Sequence, residues 1–191
     1  MRSRQHCVRT SLLLLLLRGD VRLTGAQVNR RDGVLPMTAW QRHTTDAEQT
    51  RAVGAELAAL LHAGDVVVLS GEVGAGKTTF TQGLGQGLGV RGPITSPTFV
   101  LARKHPSLVE GPDLVHVDAY RIGGTLDLED LDLDADLPLA VTVVEWGHGL
   151  ADDLAAERVE VRVLRPVGDE VGDAREISIS FIGDSWNGRR P

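Results

Sequence analysis

The chain has 191 residues, enough for one domain with a substantial hydrophobic core. A 42% hydrophobic and 24% charged composition is that of a soluble globular protein, and the single cysteine, Cys7, excludes a disulfide framework and a cysteine-based zinc site. Residues 37–191 hold 13 of the 20 basic and 24 of the 26 acidic groups, net −11, which argues against unaided tight binding to nucleic acid.

Residues 1–36 stand apart, with seven arginines against Asp20 and Asp32 and a leucine run, Leu12–Leu17. Six leucines fall far short of the roughly 20 residues that span a bilayer. The flanks resemble a secretory leader only crudely, so no membrane attachment is expected. The expectation is an extension, disordered or the product of an upstream start, ahead of a domain over 37–183 that opens at Met37. Thr45-Asp46-Ala47-Glu48 reads as a capping box, with Thr45 at the N-cap and Glu48 three residues on. Val53, Leu57, Leu60 and Leu61 then share one helical face, and Gly64 is the expected stop.

The continuous apolar run Val66–Leu69 predicts a buried strand. Phe80, Leu84 and Leu88, four apart, predict a helix over 77–89. Gly83, Gly85, Gly87 and Gly89 weaken it by about 1 kcal/mol each at interior positions, and close packing against a sheet is their expected use. Ile94–Leu101 reads as a polar turn running into an extended stretch, and 102–113, with two prolines and a glycine, as a surface loop. Leu114–Asp118 and Ala140–Glu145 are expected strands, each ending in a carboxylate; Arg158–Leu164 and Glu176–Ile182 alternate as strands with one solvated face. Residues 184–191 are expected to be a flexible tail. Strands interleaved with helices make an α/β protein.

One octapeptide carries most of the chemistry. Gly71-Glu72-Val73-Gly74-Ala75-Gly76-Lys77-Thr78 fits G-x-x-x-x-G-K-[ST], follows the strand at 66–69 and opens the next helix. Glycines let successive backbone N–H groups turn inward as an anion nest, and the helix start adds partial positive charge. Lys77 would reach the β- and γ-phosphates of a nucleotide, and the Thr78 hydroxyl would hold Mg²⁺. The chain has only two lysines, Lys77 and Lys104, so a chance match is improbable.

Phosphoryl transfer also needs an acid near the metal and a group that orients the nucleophile. In open α/β sheets such groups sit at the carboxyl ends of strands beside the phosphate loop, where Asp118 and Glu145 are placed. Either could work with Mg²⁺, directly or through water. Asp130, Asp132 and Asp134 begin a calcium-loop spacing, but Ala135 and Val141 stand where a glycine and a bidentate glutamate are required. An acidic solvated face over Asp127–Asp136 is the better reading. The six histidines show no metal spacing, and His116, inside a strand, reads as a structural or supporting group rather than a ligand. Trp146 either covers a nucleotide or completes the core.

Gly71–Thr79 (GEVGAGKTT), Ser96-Pro97-Thr98, His116-Val117-Asp118-Ala119-Tyr120-Arg121 and Glu145-Trp146, in this order and spacing, resemble the TsaE family. These are the ATPases of bacterial tRNA threonylcarbamoyladenosine (t6A) biosynthesis, and the resemblance runs from about Thr44 to Leu164. It implies a P-loop NTPase fold of three layers with a mixed, mostly parallel central sheet, binding of ATP and Mg²⁺, and slow intrinsic hydrolysis. It implies work with the TsaB–TsaD complex, which modifies adenosine 37 of tRNAs reading ANN codons, and a cytoplasmic location. By resemblance Val73, Gly74, Ala75, Gly76, Lys77 and Thr78, with Thr79 beside them, bind phosphates. Thr78 and Glu145 surround Mg²⁺, Asp118 is the acid tied to catalysis, Ser96–Thr98 is switch-like, and the helix start near Thr45–Ala47 lies by the adenine. Two rivals remain: a small-molecule kinase using Arg103 and Arg121, and a nucleotide-dependent assembly module without useful hydrolysis. No N-K-x-D guanine-reading motif is present.

Overall fold

A computed structural model of the chain describes residues 37–97, 101–119, 137–146, 155–166 and 172–189. The Leu12–Leu17 run, Thr98, Tyr120, Arg121 and the acidic stretch Asp127–Asp136 lie outside the described residues. Seven strands form one mixed sheet: β1 (Met37–Thr44), β2 (Val66–Ser70), β3 (Ala102–His105), β4 (Asp113–Asp118), β5 (Ala140–Glu145), β6 (Arg158–Leu164) and β7 (Arg175–Ile182). Their order is β1-β7-β6-β2-β5-β4-β3. The four central strands β6, β2, β5 and β4 pair in parallel. The ladders β1–β7, β7–β6 and β4–β3 are antiparallel, so the parallel part is the middle of the sheet.

Composition explains this placement. Every residue of β5 and all but the last of β2 are buried, as strands covered on both faces require. In β6 and β7 the buried residues alternate: Val159, Val161 and Val163, then Ile177, Ile179 and Phe181. The same alternation sends Val67, Leu69, Leu114, Val141 and Val143 into the main core with both helices. Val115, Val117 and Val144 point into a separate cluster on the other face. Among the described residues no α-helix packs on that second face.

Two helices, α1 (Ala47–Ala58) and α2 (Lys77–Gly87), pack on the main-core face. α1 begins one residue later than the capping-box reading, because Asp46 is the N-cap. Its extended backbone lets the carboxylate accept the Gln49 N–H at 2.8 Å. Gln49, not Glu48, reaches back, accepting the Thr45 N–H at 3.0 Å. α1 stops at Ala58 rather than Gly64, which has φ 91° in the turn before β2 and donates its N–H to Ala140 O.

The glycines of α2 answer to α1 as well as to the sheet. A Cβ at Gly83 would stand 1.9 Å from Arg51 O, and one at Gly87 2.6 Å from the Ala58 Cβ; Gly85 alone of these faces the sheet, toward Ile94 and Leu114. Gly54 of α1 is as crowded, with Phe80 O at 2.3 Å. Small residues on both partners bring the two helix backbones into contact.

Three segments differ from expectation. β1 was not foreseen, since an edge strand covered on one side carries a weak pattern; its Trp40 meets Phe181 edge-on at 6.3 Å. β3 lies inside the stretch read as a loop. It is the opposite edge, and exposed Arg103 and Lys104 mask the strand while protecting the edge from further pairing. The tail reading fails over residues 184–189. Asp184–Trp186 is a 3₁₀ turn, and Trp186, 1% exposed, packs on Phe181 with ring centroids 5.2 Å apart. Arg189 covers that indole, donates to Leu60 O at 2.8 Å and pairs with Asp65. Among the described residues no helix is long and apolar enough to cross a membrane.

Candidate functional site

β2 ends at Ser70, and residues 71–76 curl back to the start of α2 at Lys77. Gly76 occupies the N-cap with φ 110°, a conformation that a side chain would strain. Arg175 of β7 braces the curl from outside, donating Nε–H to Ala75 O at 2.7 Å. The Ala75 side chain is buried, 1% exposed. Nothing in the sequence flags Arg175, which lies 100 residues downstream.

Strand order places the acids. β5 lies beside β2, and β4 beside β5, all parallel. Asp118 and Glu145 are register partners at the carboxyl ends of β4 and β5, next to the loop. A cavity of about 510 Å³ opens there. Val73, Gly74, Gly76, Lys77, Thr78 and Thr79 line it from the loop and helix, facing Asp118, Glu145 and Trp146, with Ser96 at the rim. Of the phosphate-loop residues Val73–Thr79 named from sequence, Ala75 does not line it. Val73 is 81% exposed at the loop tip.

The side chains inside are tied together. Lys77, 5% exposed, donates to Gly71 O and Glu72 O at 3.0 Å each, and its Nζ lies 3.8 Å from the Trp146 ring centroid. Burial holds its amine below the ordinary lysine range, while the Glu145 and Asp118 carboxylates pull the other way. Trp146 adopts φ 64°, which is costly for a bulky residue and is tolerated where the surroundings enforce it. The indole that sequence left between cofactor cover and core filler is therefore partly buried and seated on the ammonium.

Glu145 Oε1 receives the Thr78 hydroxyl at 3.0 Å and His116 Nε2 at 2.9 Å. His116 is completely buried, and Glu145 is 3% exposed. His116 is thus a supporting partner of an acid, and its position two residues before Asp118 on the same strand face was the available signal. Asp118, also 3% exposed, accepts from Ser96 Oγ at 3.2 Å and donates its own N–H to Leu101 O. Arg103 is exposed and hydrogen-bonds Thr95 Oγ1.

The donor set suits a hard cation: one hydroxyl and two carboxylates, all oxygen. Among the described residues no group of three His, Cys, Asp or Glu side chains converges. A hydroxyl and two carboxylates are a set that Mg²⁺ can use, since it usually relies on one or two carboxylates, water and the phosphates themselves. A smaller cavity of about 100 Å³ adjoins, lined by Ala47, Thr50, Gly76, Thr79, Asp173 and Arg175.

This is the site of a P-loop nucleotide-binding α/β protein: a strand, a glycine loop and a helix, with two strand-end acids across from the loop. Comparison with known proteins narrows the class. The family model described as threonylcarbamoyl adenosine biosynthesis protein TsaE matches residues 44–175. The tRNA threonylcarbamoyladenosine biosynthesis protein TsaE of Streptomyces coelicolor is 58% identical over 137 residues, covering 71% of this chain and 93% of that protein. The protein of the same name from Bacillus subtilis is 38% identical over 144 residues, covering 75% and 86%. The crystal structure of Bacillus subtilis YdiB superposes with a TM-score of 0.62 at 31% identity, covering 83% of this chain and 94% of that one. The chain belongs to the TsaE family.

Proposed function

We propose that this chain is a cytoplasmic ATPase that works with the TsaB–TsaD complex in threonylcarbamoylation of adenosine 37 of tRNAs reading ANN codons, permitting repeated turnovers. The observation that carries the reading is the meeting of Lys77, Thr78, Asp118 and Glu145 around one cavity beside the glycine loop. Loop N–H groups and the Lys77 ammonium grip the β- and γ-phosphates of ATP, and Thr79 follows on the first turn of α2. Thr78 and Glu145 would hold Mg²⁺, whose charge would stabilise negative charge developing on the phosphoryl oxygens. Asp118 serves as the catalytic acid and orients an attacking water. Trp146 keeps the ammonium in the cavity and screens it from solvent. The smaller cavity beside the start of α1 receives the nucleoside end.

Ser96 hydrogen-bonds Asp118, so the switch-like segment that Ser96 opens would be coupled to the catalytic acid through that residue. Occupied and hydrolysed nucleotide would favour different arrangements of that segment, which presents a different face to the partner subunits. The net charge of −11 over residues 37–191 suits a role in which the partners, not this chain, hold the tRNA. Reconstituted tRNA modification with TsaB–TsaD tests the proposal. Wild type should support many turnovers and Lys77→Ala about one; equal multi-turnover yield from both would refute it.

A further inference from the structure

The contact between His116 and Glu145 supports a more specific statement about the same site, and it rests on the reading that Glu145 serves the cation. The terminal torsion of a glutamate is broad and nearly two-fold, so the side chain alone does not choose which oxygen faces the metal. The neighbours choose. Glu145 Oε1 accepts from both the Thr78 hydroxyl and His116 Nε2, which occupies its two in-plane lone pairs. Oε2 is the oxygen left for the cavity. The Thr78 proton is committed to Glu145 by the same contact, so the lone pairs of Thr78 Oγ1 remain for a cation.

His116 is a costly way to fill this space. It is wholly buried, and its Nδ1 has no hydrogen-bond partner among the described residues, a cost that an apolar side chain of similar size would avoid. What offsets the cost is the bond made by the other nitrogen. Strand geometry makes that bond possible: His116 is in register with Val143, two residues before Glu145 on the adjacent parallel strand, and both side chains project from the α2 face. A carboxylate oxygen accepts, so Nε2 is the donor of this bond.

We propose that His116 is a positioning residue for Mg²⁺: it fixes the carboxylate of Glu145 so that Oε2 and Thr78 Oγ1 meet the cation together. Groups that orient metal ligands from behind typically change metal affinity about 10- to 100-fold when removed.

The test is calorimetric titration of ATP into the full chain, in EDTA and across a Mg²⁺ series, with thermal unfolding as a check on folding. His116→Phe should bind ATP in EDTA within about twofold of wild type, because the phosphate loop is untouched. Its Mg²⁺ requirement should rise about 10- to 100-fold. His116→Gln, whose amide can reach the place of Nε2, should recover most of the loss. Wild-type Mg²⁺ dependence in a folded His116→Phe overturns the proposal, and so does equal loss in EDTA and in Mg²⁺, which marks a structural role alone. Should His116→Phe not fold, His116→Gln against His116→Asn decides, since the shorter amide cannot reach Glu145; equal behaviour of the two overturns the proposal. Glu145→Gln separates the two levels. If it keeps wild-type Mg²⁺ dependence, the reading of Glu145 fails and this role with it; if it loses that dependence while His116→Phe does not, only the His116 role falls.

Discussion

Gly83→Ala sets two physical effects against each other. By helix propensity the change should stabilise α2 by up to about 1 kcal/mol. Across the helix interface, however, the new methyl would lie 1.9 Å from Arg51 O, 2.5 Å from its carbonyl carbon and 2.6 Å from its Cα. All three obstacles are main chain in the middle of α1, so no rotamer can relieve them. Bringing the closest distance to about 3 Å requires the helices to part by roughly 1 Å. Overpacking of this kind costs about 1–3 kcal/mol, so steric conflict wins and the variant should lose about 1–2 kcal/mol in urea denaturation. The consequence reaches the site, because the first two residues of α2 are Lys77 and Thr78. A displacement near 1 Å at the catalytic groups can reduce rate by about 10²-fold. Steady-state ATP hydrolysis by Gly83→Ala, measured where it remains folded, should therefore fall well beyond its loss in stability. A variant as stable as wild type, or more so, would refute the claim that these helices touch backbone to backbone here.

Two further outcomes follow from the same geometry. Trp186→Ala should cost about 3–5 kcal/mol in chemical denaturation, as expected for a large aromatic 1% exposed, whereas a loose tail would give almost no change. Lys77 has its folded-state pKa lowered by burial, so between that value and the ordinary lysine pKa of about 10.4 the unfolded chain binds more protons. Its charge therefore costs stability at neutral pH, and the cost disappears as pH rises through that window. Lys77→Met should exceed wild type in stability at neutral pH, and the difference should shrink toward pH 10 in parallel denaturation curves; a difference that grows would reverse the assigned sign.

Local chemistry was enough to read the phosphate loop, because its glycines act through backbone conformation and Lys77 bonds the Gly71 and Glu72 carbonyls within the same eight residues. Central strands were legible for a similar reason. A strand buried on both faces must be apolar throughout, as β2 and β5 are, and β6 and β7 show the alternation of a half-buried sheet. The carboxylates could be named because strand ends beside such a loop are where acids can act, and Asp118 and Glu145 both line the cavity.

Edges and long-range partners were not legible. β1 and β3 owe their strand conformation to a single neighbour each, and their polar residues carry no period. Trp186 looked like part of a tail because its burial depends on Phe181 and Arg189 meeting it in space. Spacing in the chain left open which acid has which neighbours; the parallel register of β4 and β5, with α2 above, gives Glu145 to Thr78 and His116, and Asp118 to Ser96. Arg175 reaches Ala75 only because β7 runs beside β6 at the mouth of the loop. Sequence thus determined the phosphate-binding chemistry, which is short-range, while tertiary structure decided the orientation of the groups around it, which depends on strand order and register.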